Sequence, residues 1–172
     1  MSGSSRHTPV AKQKSLTRGS RTKTAARKRP RIHAESSPFP LRIRKSRLHG
    51  FGVFATGKIP ANRKVIEYTG KMISTREAND RDPGKVSYLF ALNRRWVVDG
   101  SVGGSGAEYI NHSCEPNIYI KILKGHILYM SKRPIAIGEE LTVDYRFSPR
   151  EVTVPCHCVS SSCRGTINLK RS

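Results

Sequence analysis

The sequence predicts a mainly β fold of short sheets with few short helices. Three observations carry this. Short runs of apolar and β-branched residues recur along the chain, bounded by Gly, Pro and Asn. Ile118, Ile120 and Ile122 alternate with Tyr119, Lys121 and Leu123 before Lys124-Gly125 and a second run, His126–Ser131, the pattern of a hairpin. Only Ser74-Thr75-Arg76-Glu77 offers a capping box, and it opens a short helix.

The elements follow in order. Residues 1–37 hold ten Lys and Arg against the single Glu35 and almost no large apolar side chain, so they read as a basic disordered tail. Pro38 and Pro40 close it. Leu41–Lys45 alternates as a strand, and Gly50-Phe51-Gly52-Val53-Phe54 is an apolar run whose glycines admit close backbone approach. Lys64–Ile73 reads as strand, with Gly70 as a bulge or turn. Tyr88–Leu92 and Trp96–Val98 are strands around Asn-Arg-Arg, Ser101–Gly106 is a glycine-rich loop, and Leu141–Tyr145 is a last short strand.

The 172 residues carry 32 Lys and Arg against 12 Asp and Glu, a formal net charge of +20. Outside the tail the count is still 22 against 11, so an anionic partner is expected. No apolar run is long enough to span a membrane, and no signal-peptide core follows the N-terminus.

Cys156, Cys158 and Cys163 form C-x-C-x4-C, and Cys114 stands in Asn111-His112-Ser113-Cys114-Glu115-Pro116-Asn117. Four thiolates match one tetrahedral zinc. The uneven spacing favours metal over disulfides. His157, between two of the cysteines, is an alternative ligand. A Cys114–His112 nucleophile pair is the other reading of the isolated motif, and a polar turn that satisfies buried backbone groups is the plainest one.

The order of motifs is more specific than any one of them. Gly50-x-Gly52, Tyr68-x-Gly70, Tyr88-Leu89-Phe90, Val98-Asp99-Gly100, Asn-His-Ser-Cys-x-Pro-Asn, Gly138-Glu139-Glu140-Leu141-Thr142-x-Asp144-Tyr145 and Cys-x-Cys-x4-Cys-Arg164-Gly165 occur in sequence. From about Leu41 to about Leu169 the chain resembles the SET-domain protein lysine methyltransferases with a zinc-binding post-SET extension. The resemblance implies a SET domain over 38–148, a post-SET segment over 149–172 and a knot-like crossing of the Asn-His-Ser and Leu141–Tyr145 segments. Such threading is rare in proteins at large.

It also implies roles. His49, Gly50, Phe51, Gly52, Val53, Tyr88, Asn111, His112 and Tyr145 would hold S-adenosylmethionine, with Asn111 and His112 using backbone and side chain. Tyr145 would be the catalytic tyrosine, with Tyr68 beside it on the lysine channel. Cys114, Cys156, Cys158 and Cys163 would ligate one Zn2+, and His112 would have no proton-transfer role. The implied substrate is a lysine of a histone or other basic chromatin-associated protein, in a nucleus or in a bacterial cytoplasm or nucleoid. The tail is expected to contact DNA. Glu67, Glu108, Glu115, Glu139 and Glu140 are candidate acidic contacts for a basic substrate.

The chain departs from that pattern at three places. Val143 stands two before Tyr145 where relatives often carry Phe or Tyr, which would leave more room beside the lysine. Glu108 stands where Arg is common. Thr166 follows Cys-Arg-Gly where a bulky residue is common. A non-catalytic, zinc-stabilised chromatin or nucleic-acid binding module is the alternative these departures keep open. Finally, Arg21-Thr22-Lys23-Thr24-Ala25-Ala26-Arg27-Lys28 resembles a histone H3 tail, which would make Lys23 or Lys28 a self-methylation site; basic Ser/Thr/Ala tails share this composition in any case.

Overall fold

The structure, a computed structural model, describes residues 30–80 and 88–170. The H3-like stretch and its lysines lie outside them. Ten strands and one short α-helix are present among the described residues. β1 (Leu41–Lys45) and β2 (Phe51–Ala55) pair antiparallel, with Ile43 opposite Val53. β3 (Lys64–Tyr68) and β4 (Lys71–Ser74) follow, separated at Gly70 as the sequence predicts. Helix α1 (Thr75–Asn79) begins at the capping box, where the Ser74 side chain accepts from Glu77 N. β5 (Leu89–Ala91) and β6 (Trp96–Asp99) come next, then β7 (Asn111–His112), β8 (Ile118–Leu123), β9 (His126–Ser131) and β10 (Thr142–Val143).

The strand order within sheets is not consecutive. One sheet runs β3-β9-β8 and another β4-β6-β5. The β8–β9 hairpin matches its sequence prediction, Ile118 facing Ser131 and Leu123 facing His126. Its turn places Lys124 at φ 49° and Gly125 at φ 85°, the left-handed pair that a two-residue hairpin turn requires.

β7 and β10 pair in parallel, Thr142 beside Asn111 and Val143 beside His112. The expected strand 141–145 is thus paired only at its centre. β7 itself carries no strand signal, because Asn and His are polar and the pairing partner lies thirty residues away. Asn117 secures this region: its Oδ1 accepts from Thr142 N at 2.9 Å, and its Nδ2 donates to Glu139 Oε1 and Glu140 O, both at 2.8 Å. The side chain is 2% exposed, so losing it would strand buried backbone groups.

Val65, Ile66, Ile110, Ile118, Ile127, Leu141 and Val143 form the main core. Val143, expected to open space beside the lysine, is buried there. A smaller cluster joins Phe147, Cys156, Cys158 and Ile167, with Tyr145 packed against it. Residues 31–37, expected in the tail, pack on this body. Ile32 touches the main core, His33 N donates to Ser105 O at 3.0 Å, and Ser37 Oγ donates to Val65 O at 2.7 Å. One isoleucine and a few backbone bonds suffice, which a composition reading of a mostly polar segment does not register.

Lys124 holds a left-handed conformation that Asn adopts at lower cost. Lys124→Asn is expected to stabilise the chain by about 0.5 kcal/mol, seen as a higher denaturant midpoint at unchanged slope.

Candidate active site and thiolate centre

The site begins with one asparagine. Asn111 is fixed by β7, and its Nδ2 lies 3.2 Å from His49 O, 3.0 Å from Phe51 O and 2.8 Å from Glu140 Oε1. It therefore clamps the turn between β1 and β2. The Glu140 carboxylate also accepts from Ser46 Oγ at 2.8 and 2.9 Å. Gly52 makes room for that carboxylate, since a Cβ there would sit 2.2 Å from Glu140 Oε1. Glu140 is thus committed to this clamp.

The other candidate acids are mostly engaged as well. Glu139 pairs with Arg133 at 2.6 Å, Glu67 with Lys64 at 3.0 Å and His126 at 2.6 Å. Glu108 Oε2 accepts from Gly106 N at 2.8 Å, and burial raises its pKa. Of the five acids named as substrate contacts, Glu115 alone is exposed.

The clamp borders a cleft of about 300 Å³ lined by Leu48, His49, Asn111, His112, Tyr145, Val154, Pro155, Cys156, His157, Cys158 and Ile167. Four residues expected at a cofactor are in its walls: His49, Asn111, His112 and Tyr145. Gly50, Phe51, Gly52 and Val53 lie behind His49 on β2 and its approach, outside the lining. Tyr88 also lies outside it, its ring 5.4 Å from that of Tyr109. The Asn111 amide is spent on the clamp.

The lining residues that sequence reading missed are Leu48, Val154, Pro155 and Ile167. Their only signal is proximity to named motifs. Thr166, the departure at the tail, turns away to Val154 O and Asn168 Oδ1, both at 3.0 Å, and leaves Ile167 as the apolar wall.

Two buried phenols are each held on a backbone carbonyl, Tyr145 in the cleft wall and Tyr68 outside its lining. Tyr145 Oη donates to Ile110 O at 2.8 Å, and Tyr68 Oη donates to Tyr88 O at 2.5 Å. Gly100 leaves space for the second, because a Cβ there would lie 2.7 Å from Tyr68 Oη. Burial, with the nearby Tyr88 and Glu140 in the case of Tyr145, pushes both phenol pKa values well above the ordinary range. Both are neutral at physiological pH. With their protons engaged on carbonyls, their lone pairs remain as acceptors.

The four cysteines come together. The sulfurs of Cys114, Cys156, Cys158 and Cys163 all lie within 4.8 Å of one another, and none is in a disulfide. Cys114 and Cys156 sulfurs are 3.7 Å apart, close to the edge of about 3.8 Å in a tetrahedron with ~2.3 Å metal–sulfur bonds. Burial opposes ionisation at Cys114, Cys156 and Cys158. At Cys158 it is overcome by hydrogen bonds from Cys114 N and from Ser160, which bring that thiol down to about 5, whereas burial drives Cys156 up. The donor set fits zinc, and His157 is not part of it.

This centre is tied to Tyr145 by two routes. His112 Nδ1 accepts from Tyr145 N at 3.1 Å, which places the imidazole proton on Nε2, 3.4 Å from Cys114 Sγ. Burial lowers the His112 pKa to about 4, with Asp144 opposing, so the ring is neutral. Arg164 grips Asp144 with both terminal nitrogens, at 2.9 and 2.8 Å, while its own N–H donates to Cys114 Sγ at 3.4 Å.

Neutral Tyr145, an Asn-clamped glycine turn and a cleft walled in part by the Cys156–Cys158 segment define a small-ligand site bordered by the C-terminal segment. The chain belongs to the SET domain family, whose model matches residues 50–146. It is 39% identical over 138 residues to histone-lysine N-methyltransferase SETD1 of Drosophila melanogaster, covering 74% of this chain and 8% of that protein. Identity is 38% over 138 residues to human SETD1A, with the same coverage, and 39% over 135 residues to TRX1 of Oryza sativa, covering 72% of this chain and 13% of that protein. The chain thus spans about a tenth of the length of these relatives. A crystal structure of KRYPTONITE in complex with mCHG DNA and SAH aligns with TM-score 0.66 and 26% identity, over 76% of this chain and 29% of that one.

Glu140→Ala is expected to loosen the turn at His49–Phe51 through loss of its bonds to Ser46 and Asn111. Hydrogen exchange should rise locally in residues 46–52 with little change in β8 and β9.

Proposed function

We propose that this chain is a protein-lysine N-methyltransferase that uses S-adenosylmethionine and acts on a histone or other basic chromatin-associated protein. The observation that carries the reading is the juxtaposition of the His49/Asn111/His112 cleft with Tyr145, of which Asn111, His112 and Tyr145 lie inside the matched SET region. The names of the relatives support lysine methylation and chromatin, and SAH in the KRYPTONITE complex supports the cofactor.

The cleft residues fit the cofactor: His49, Asn111 and His112 are its polar lining, and Leu48, Val154 and Ile167 are apolar wall. Gly50, Phe51, Gly52, Val53 and Tyr88 are assigned to the same cofactor as the surrounding shell. When bound, S-adenosylmethionine supplies an electrophilic methyl group on a sulfonium. The chain must present a lysine amine that is neutral, aligned and dry. Deprotonating lysine at pH 7 costs about 4–5 kcal/mol from its pKa of about 10.4. Burial in an apolar channel lowers that pKa. Tyr145 and Tyr68 each offer a neutral oxygen with free lone pairs, so they accept N–H bonds from the amine and orient it without a counter-charge to hold it protonated.

Zn2+ held by Cys114, Cys156, Cys158 and Cys163 would keep residues 154–158 and Ile167 against the cleft. Its function in this reading is architectural. No helix among the described residues is long and apolar enough to cross a membrane.

Tyr145→Phe removes the bond to Ile110 O and the acceptor for the amine. Turnover of labelled S-adenosylmethionine on histone mixtures should fall about 100-fold, with cofactor binding by calorimetry within about threefold of wild type. Unchanged turnover would refute the role of Tyr145. Cys156→Ser, or chelation of the metal, is expected to weaken cofactor binding and transfer together while the far-ultraviolet circular dichroism of the β core persists. Full activity without zinc would reduce the cluster to a staple.

A further inference from the structure

The hairpin tip between β5 and β6 carries Asn93-Arg94-Arg95-Trp96, and its backbone is held from every side. Leu92 N and Asn93 N donate to Trp96 O at 3.0 and 3.2 Å. Asn93 Oδ1 accepts from Arg95 N at 2.9 Å and from Trp96 N at 3.0 Å. Thr75, the first residue of α1, donates its N–H to Arg95 O at 2.9 Å and its hydroxyl to Arg94 O at 3.0 Å. The tip is rigid, yet its side chains face solvent.

Trp96 stands opposite Ser74 in the β4–β6 ladder, and Met72 lies two residues along β4 on the same face. Trp96 is 44% exposed and Met72 52%. They form an apolar shelf rimmed by Arg94, Arg95 and Arg76, all exposed, with Lys71 exposed at the start of β4. None of these four cations has an ion-pair partner among the described residues. The acids of the region are Glu77 and Asp80, on α1 and its C-terminal cap, and the buried Asp99, which stands opposite Lys71 in the β4–β6 ladder and accepts from Ser101 N and Oγ. None of the shelf residues lines the catalytic cleft.

We propose that this shelf binds unpaired nucleotides of a single-stranded DNA or RNA. An exposed indole face stacks on any base, and flanking guanidiniums take the phosphates of the same strand. A duplex offers no free base face to the indole. An acidic protein segment would satisfy the cations and leave the flat ring without a matching partner. The rigid tip has already met the ordering cost that a mobile arginine loop would incur on binding. The whole chain's formal net charge of +20 favours encounter with any polyanion, so the shelf supplies strand selectivity rather than attraction alone.

Trp96 is the chain's single tryptophan, so its emission reports this surface alone. The full chain would be titrated at about 0.15 M salt with oligo-dT, oligo-rU, a DNA duplex of equal length and poly-glutamate. Saturable quenching by the two single strands, with little change from the duplex or poly-glutamate, is expected. The relative affinities of the dT and rU arms distinguish DNA from RNA. In anisotropy titrations with labelled oligo-dT, Arg94→Ala/Arg95→Ala should weaken binding about tenfold. Trp96→Ala should weaken it at least about fivefold, with partial rescue by Trp96→Phe. Oligonucleotide binding by anisotropy with unaltered Trp96 emission would overturn the proposal in favour of contact elsewhere, such as the basic tail. Equal quenching by poly-glutamate would overturn it in favour of an acidic protein partner.

Discussion

The Asn111–Cys114 backbone is restrained from both sides at once. From below, Thr142 and Val143 run parallel to Asn111 and His112, and Ser113 N donates to Val143 O at 3.1 Å. From above, Cys114 joins three cysteines of the C-terminal segment, and Arg164 N donates to its sulfur at 3.4 Å. Asn111 then clamps the β1–β2 turn, and Tyr145 reaches Ile110 O. Cleft, tyrosine and tail all take their positions from this four-residue segment. Two-residue β pairing is weak by itself, so the buried hydrogen bonds and thiol contacts have to supply the remaining order.

His112 links the two sides. One ring nitrogen receives the amide of Tyr145 and the other points at Cys114 Sγ. Neutrality follows from burial, and the Tyr145 amide donating to Nδ1 fixes the tautomer with the proton on Nε2. A histidine that sequence alone offers as a base or a nucleophile's partner is therefore a connector between the four-cysteine cluster and the segment after β10 that carries Tyr145. Asp144 and Arg164 make a parallel connection through a bidentate pair.

Elements with local determinants were legible. The β8–β9 hairpin follows from alternating isoleucines and a Lys-Gly turn, and α1 from its Ser74 cap. Likewise, the four cysteines are identifiable by count and spacing, and they do converge. Harder to read were the acids. Glu139 and Glu140 look available for a basic substrate, yet they are held by the nearby Arg133 and by Asn117, Asn111 and Ser46 from more distant parts of the chain. Ile32, in a segment that composition assigns to a tail, packs on the core.

By itself, then, the sequence determined the mainly β class, the positions of locally patterned strands and turns such as the β8–β9 hairpin, and the ordered set of Gly, Asn-His-Ser-Cys, Asp-Tyr and Cys motifs. Each depends on side-chain chemistry or on periodicity within about ten residues. Tertiary structure decided which of those residues meet. It set β7 against β10, turned the Asn111 amide to the glycine turn, and brought Ile167 rather than Thr166 to the cleft wall. The reason is physical: those contacts join segments dozens of residues apart, and their partners are chosen by burial and hydrogen-bond satisfaction in the assembled core.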